Sequence, residues 1–212
     1  VVAPLGLFSH SDQQMHWQTG FSHARAATGW GGRMADLLTS CNSNTNISMA
    51  MSLSGTNLFE TGNNSVEFTL SPYGPVGIND DNDGWWYNSL RKNNITNMLD
   101  ATYQNIFEQT YKNITKSART GNAQITTALT NAPAFTGVFS NSYLSDSFKM
   151  VAKIIASQSS LGMNRQIFFI DYGGWDHHDE LLGNQEIMLE EVDNAIGEFH
   201  QALTSINKLN EV

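Results

Sequence analysis

Cysteine is nearly missing from this chain: Cys41 is the single one in 212 residues. No internal disulfide can staple the fold, so its stability must come from a packed core. Positive charge is scarce as well. Lys and Arg number 11 against 20 Asp and Glu, a formal net charge of -9, which argues against the clustered basic surface that nucleic acid or an anionic membrane requires. An acidic surface suits cations but does not by itself select one. No apolar run approaches the length of a bilayer span, and residues 1–8 lack the basic start and apolar stretch of an export signal. That absence says nothing about a processed chain, and Val1-Val2-Ala3-Pro4 reads like the interior of a longer one.

What is present is globular. Hydrophobic residues make up 40% of the chain and charged ones 15%, outside the disordered class. The length suits a single α/β domain over residues 1–212. The segmentation expected is a short strand or extended entry at 1–8, then a short helix at 11–18. Ser11-Asp12-Gln13-Gln14 fits the capping box at its start. Gly29-Trp30-Gly31-Gly32 reads as a turn before a helix at 33–39, and residues 46–53 and 66–70 carry β-compatible runs. Apolar residues fall at helical spacing from 86 to 117, with one helix and a loop in 121–141 and an insertion or lid at 118–142. An amphipathic helix at 142–160 closes on Gly162, a strand occupies 166–171, and a long helix covers 182–206. Helix, buried strand, loop and helix is the unit of a doubly wound domain. No internal repeat is visible.

The chemistry concentrates at one place. Ile167-Phe168-Phe169-Ile170-Asp171-Tyr172-Gly173-Gly174-Trp175-Asp176-His177-His178 is an apolar strand that runs through a diglycine bend into a carboxylate and two imidazoles. Open α/β sheets hold their sites at such strand exits, and Asp with neutral His is a usual ligand set for zinc and similar divalent metals. In a locally extended chain Asp176 and His178 project to the same side. The plainer alternative is a solvated polar turn. Ser9-His10, at the start of the first helix, presents a second choice: Ser9 as a nucleophile aided by the positive helix end, or as an ordinary cap. Arg33 beside Gly31 and Gly32 either holds an anion or makes a structural contact. His16, His23 and His200 read as core or surface histidines.

Other motifs fail on strict reading. Gly29-Trp30-Gly31 has Met34 where a dinucleotide fingerprint needs glycine, and no phosphate-cradling loop or G-x-S-x-G elbow exists. Asn79-Asp80-Asp81-Asn82-Asp83-Gly84 opens like a calcium loop, but Leu90 stands in place of the bidentate Glu. Trp85-Trp86 reads as a helix-start anchor rather than a sugar platform. Asn46, Asn63, Asn94 and Asn113 are N-x-S/T acceptors, relevant only in a glycosylating host.

Four segments in order carry a family resemblance: residues 7–18 (Leu-Phe-Ser-His-Ser-Asp-Gln-Gln-x-x-Trp-Gln), 29–33 (Gly-Trp-Gly-Gly-Arg), 151–155 (Val-Ala-Lys-Ile-Ile) and 174–178 (Gly-Trp-Asp-His-His). Over about residues 5–207 the chain resembles the exported bacterial proteins of the domain of unknown function 1501 family, which are sulfatase-like. The resemblance implies an alkaline-phosphatase type α/β fold, a mostly parallel sheet flanked by helices and incomplete here. It implies export, a divalent metal such as zinc held by Asp176 and His178 with His177 the weaker candidate, and catalytic roles for Ser9, His10 and Arg33. The implied function is metal-dependent hydrolysis of small anionic phosphate or sulfate esters. The alternative is a non-catalytic exported binding or structural component on the same scaffold. The family's opening Gly-Gly-Asn-Asp-Gly type strand and its closing Ser-Asp-Phe-Gly-Arg and Asp-His-Gly type segments are not found. The expectation is therefore the central part of a longer protein, with association with flanking segments or other subunits. No membrane span and no nucleic-acid partner are expected.

Overall fold

The computed structural model describes residues 3–77 and 86–212. Its organising element is a short central strand paired on both sides. β1 (Ala50–Ser52) lies parallel to β2 (Phe68–Ser71) and to β4 (Ile167–Phe169), and β2 runs antiparallel to β3 (Gly74–Pro75). The result is a mixed four-stranded sheet of order β3-β2-β1-β4. All three β1 residues are buried, as expected for a strand covered on both faces. The helices are α1 (His10–Thr19), α2 (Trp30–Leu38), α3 (Trp86–Asp100), α4 (Ile106–Thr130), α5 (Tyr143–Ala156), α6 (Gln158–Leu161) and α7 (Leu181–Ser205). The chain is thus an α/β protein with a small mixed sheet flanked by helices, in which two of the three strand pairings are parallel. Among the described residues no helix is long and apolar enough to cross a membrane.

Alternation along β4 separates two packing faces. On one, Phe169 stacks on Phe59 with ring centroids 5.6 Å apart. On the other, Phe168 and Ile170 look toward Val151 and Ile155 of α5 and Phe199 of α7. α5 supplies the deepest helical face: Met150, Val151, Ile154 and Ile155 fall at helical spacing and are buried. Ser142 caps it by accepting from the Ser145 amide, and Gly162 (φ +65°) ends α6 in the left-handed region. α7 packs along α5 through the Phe148–Phe199 ring contact and a 2.6 Å bond from Ser145 Oγ to Glu198. Residues 118–142 cover the second half of α4 and the loop after it. Ile125 and Ala128 enter the main core, and Phe135 packs in a satellite with Ala152 and Ala202.

Several sequence expectations meet a different local solution. The entry at residues 3–8 is a turn rather than a strand, because Gly6 adopts φ +61° and its carbonyl accepts from the Ser9 amide at 2.8 Å and from Gln13 Nε2 at 2.9 Å. α1 accordingly begins at His10, with Ser9 rather than Ser11 as its cap; Ser9 Oγ accepts from the Asp12 amide. The helical spacing of 86–117 is broken at 101–105, where Asn105 caps α4 by accepting from the Phe107 and Glu108 amides. The calcium-like run 79–84 and Trp85 lie outside the described residues.

Gly29-Trp30-Gly31-Gly32 is a helix start, not a turn, and its glycines are required by close approach. A Cβ on Gly32 would sit 2.1 Å from the Thr61 carbonyl carbon, and one on Gly29 would sit 2.0 Å from the Leu58 oxygen. The first turn of α2 therefore lies backbone against backbone on residues 58–62, where the Gly32 amide donates to Phe59 at 2.9 Å. Gly197, midway along α7, has nothing within 4 Å of its Cβ position. Gly32→Ala should therefore destabilise the protein by about 2 kcal/mol or more through overpacking, and Gly197→Ala should stabilise it by roughly 0.5–1 kcal/mol through helix propensity. Denaturant unfolding of the two variants distinguishes these opposite signs.

Candidate functional site

The site is built at the exits of β1 and β4. The Asp171 amide leaves β4 by donating to Ser54 Oγ at 2.7 Å, so the two exits are tied together. Beyond it, Tyr172 Oη donates to Glu191 at 2.5 Å, and this bond, together with burial, raises the Tyr172 hydroxyl above its ordinary range. Trp175 Nε1 donates to the Tyr172 carbonyl at 2.6 Å, and the two rings meet edge-on at 5.8 Å. Gly174 turns at φ +98°, a conformation suited to glycine. This braced bend delivers Asp176, His177 and His178.

Three side chains then meet. His178 Nε2 lies 3.1 Å from Asp176 Oδ2, and His10 Nδ1, at the first residue of α1, lies 3.8 Å from the same oxygen. Ligands about 2.0–2.1 Å from a tetrahedral zinc are separated from each other by about 3.3 Å, and the two observed separations bracket that value. The donor types also fit a divalent cation of the zinc kind. The set is open: side-chain exposures are 74% for His10, 55% for Asp176 and 86% for His178. Among the described residues no group of three or more His, Cys, Asp or Glu could hold a metal ion, this trio included. Further oxygen or nitrogen ligands would be needed to complete a coordination shell.

His177 points differently. Its amide donates to the Trp175 carbonyl at 3.0 Å, and its Nε2 is buried without a hydrogen-bond partner. Ser9 is held as a cap, with Ser11 Oγ at 3.2 Å and the Asp12 amide at 3.3 Å. Arg33 is engaged in structure. Its guanidinium donates to the Thr19 carbonyl at 2.7 Å and the Thr28 carbonyl at 2.8 Å, and it lies 5.0 Å from the centre of the Phe21 ring. Arg33 thus ties the end of α1 to the start of α2. His16 is buried with each ring nitrogen 2.6 Å from a carbonyl oxygen, those of Leu5 and Phe21. It pins α1 to its flanking loops and so sets where His10 stands.

Two acidic residues escaped sequence reasoning. Asp36 accepts from the amides of Asn63, Asn64 and Ser65 at 2.6, 3.0 and 2.8 Å. Burial alone would raise its carboxyl, but these donors bring it down to about 2. Glu60 is completely buried and follows Phe59, whose ring meets those of Trp17, Trp30 and Phe169. Burial pushes its carboxyl up to about 7 and the charge of Glu67 adds to this, against a 2.8 Å bond from Asn57 Nδ2 and a backbone bond at Met51. Glu60 Oε1 has no partner. The only sequence signal for either was an acid within a Gly- and Asn-rich loop, which describes most turns.

The Glu60 carboxyl is harder to ionise in the folded chain than at its ordinary value of 4.5. Its contribution to stability is therefore complete below pH 4.5 and is lost as the pH rises through about 7, a loss of about 3 kcal/mol. Glu60→Gln, which keeps the Asn57 contact, should flatten this part of the profile. Thermal unfolding across pH should show the variant above the parent at pH 8 and near it at pH 4.5; parallel curves would refute the assignment. No protein-family profile, curated protein or solved structure matches this chain.

Proposed function

We propose that this chain belongs to an exported bacterial, sulfatase-like hydrolase that cleaves phosphate or sulfate esters with the help of a divalent metal. The observation that carries the reading is the meeting of His10 and His178 on one oxygen of Asp176. These residues come from opposite ends of the sequence and from two of the four segments that carry the family resemblance. Asp176 Oδ2 and His178 Nε2 would hold the cation, and His10 would orient an anionic ester oxygen. A bound divalent ion of this kind polarises an ester oxygen and lowers the pKa of coordinated water.

Ser9 stands next to His10 at the start of α1, where free backbone amides favour developing negative charge. As nucleophile it would give up its bond from the Asp12 amide and pass its proton to a neighbouring base. Arg33 supports this corner indirectly, by holding the far end of α1 in place. The acidic surface and the small, open cluster suit a compact anionic ester partnered by a cation rather than a polyanion.

A non-catalytic exported binding component on the same scaffold is the second reading. It is favoured by the solvent exposure of all three side chains, since electrostatic catalysis gains most in water-excluded sites. Titration with zinc and manganese, followed by assays on aryl phosphates and aryl sulfates, separates the two. Asp176→Ala and His178→Ala should each weaken metal binding by about tenfold or more and abolish turnover. Metal binding without turnover would favour the binding component. Metal binding and activity indifferent to both substitutions would reject the hydrolase.

A further inference from the structure

The outer edge of β4 pairs with no strand among the described residues. In the parallel ladder Ile167 and Phe169 spend both backbone groups on β1: the Ile167 amide donates to Met49 and the Phe169 carbonyl accepts from Leu53. The amides and carbonyls of Gln166, Phe168 and Ile170 therefore point the other way, where no strand lies among the described residues. Soluble proteins blunt such edges with charge, proline or a bulge, and the run Gln166-Ile167-Phe168-Phe169-Ile170 has neither charge nor proline. Beside it opens a groove of about 770 Å³ whose apolar lining includes Phe148, Val151, Ile155, Phe168, Ile170 and Phe199. Gln166 Nε2, also at this groove, is buried without a partner.

We propose that this edge is an interface with a second copy of the chain, formed by antiparallel pairing of β4 with β4 centred on Phe168. The register follows from the sequence around that centre. Phe168 faces Phe168 of the partner subunit, and Gln166 faces Ile170 of the partner subunit. Every outward amide and carbonyl from 166 to 170 is then satisfied in hydrogen-bonded pairs. One step further out, Arg165 faces Asp171 of the partner subunit, and the two-fold axis repeats the pair. Both residues are exposed, and neither makes an ion pair among the described residues. They fall at non-hydrogen-bonded positions, where facing Cα atoms approach to about 4.5 Å and opposite charges attract. This charge complementarity selects a second copy over an unrelated peptide. On the other face the partner's Phe168 and Ile170 extend the apolar lining of the groove, and the two sheets become one.

Sedimentation equilibrium over a concentration series tests the interface on the whole chain. The parent protein should show a reversible monomer–dimer equilibrium. Arg165→Asp or Asp171→Arg alone places like charges opposite each other twice and should weaken dimerisation by about tenfold or more. An equimolar mixture of these two variants restores both opposite-charge pairs across a heterodimer and should associate like the parent. So should the charge-swapped chain carrying both changes. Both positions are exposed, and circular dichroism checks that each variant is folded. A parent that stays monomeric throughout, single variants that associate as tightly as the parent, or a mixture that fails to recover would each overturn the proposal.

Discussion

The parallel pairing of β1 with β4 is the constraint on which the rest of the structure depends. It joins segments more than a hundred residues apart, and it leaves every β1 residue buried between two neighbours. Without it the Asp171 amide would not reach Ser54, and the bend carrying Asp176 would have no fixed origin. The pairing also divides the two faces of β4, sending Phe169 to the Phe59 side and Phe168 to the helical side. Backbone hydrogen bonding thus decides which aromatic ring joins which layer, and the loop chemistry follows from that choice.

The second layer of support is steric. α2 approaches residues 58–62 closely enough to exclude side chains at Gly29 and Gly32. The same loop carries the buried Glu60, and α1 contributes by lending the Gln18 side-chain oxygen to the amides of Leu58 and Phe59 at 3.0 and 3.2 Å. An acid in so dry a place is tolerated because Asn57 satisfies one oxygen and because the group can remain protonated. Asp36 is the opposite case, since its carboxylate is surrounded by amide donors and stays ionised. Two carboxyls in one small region therefore carry different charge, for reasons of donor supply.

Legibility in the sequence tracked how local the physics was. β4, α5 and α7 were readable because an apolar run or an amphipathic stripe declares itself within a few residues. The cluster at 176–178 was readable because chemistry-bearing residues follow directly on a strand. Ser9 and Ser11 both offered a cap, and the choice fell to Gly6, whose left-handed turn sets where the helix can start. The break between α3 and α4 hung on Asn105 competing with an uninterrupted helical pattern. Glu60, Asp36 and the Arg33 contacts depend on partners far along the chain, which periodicity cannot show. The approach of His10 to Asp176 is of this last kind.

α1 itself has a mechanical consequence. Ten residues of helix make a rod about 15 Å long, anchored in its C-terminal half by His16, Gln18 and the Arg33 bond to the Thr19 carbonyl, with His10 at the other tip. Such a rod is rooted at one end and cantilevered at the other. The imidazole beside the carboxylate therefore takes its position from the loop at 58–62 through the root of that cantilever, and a shift of the loop is carried along the helix to the tip.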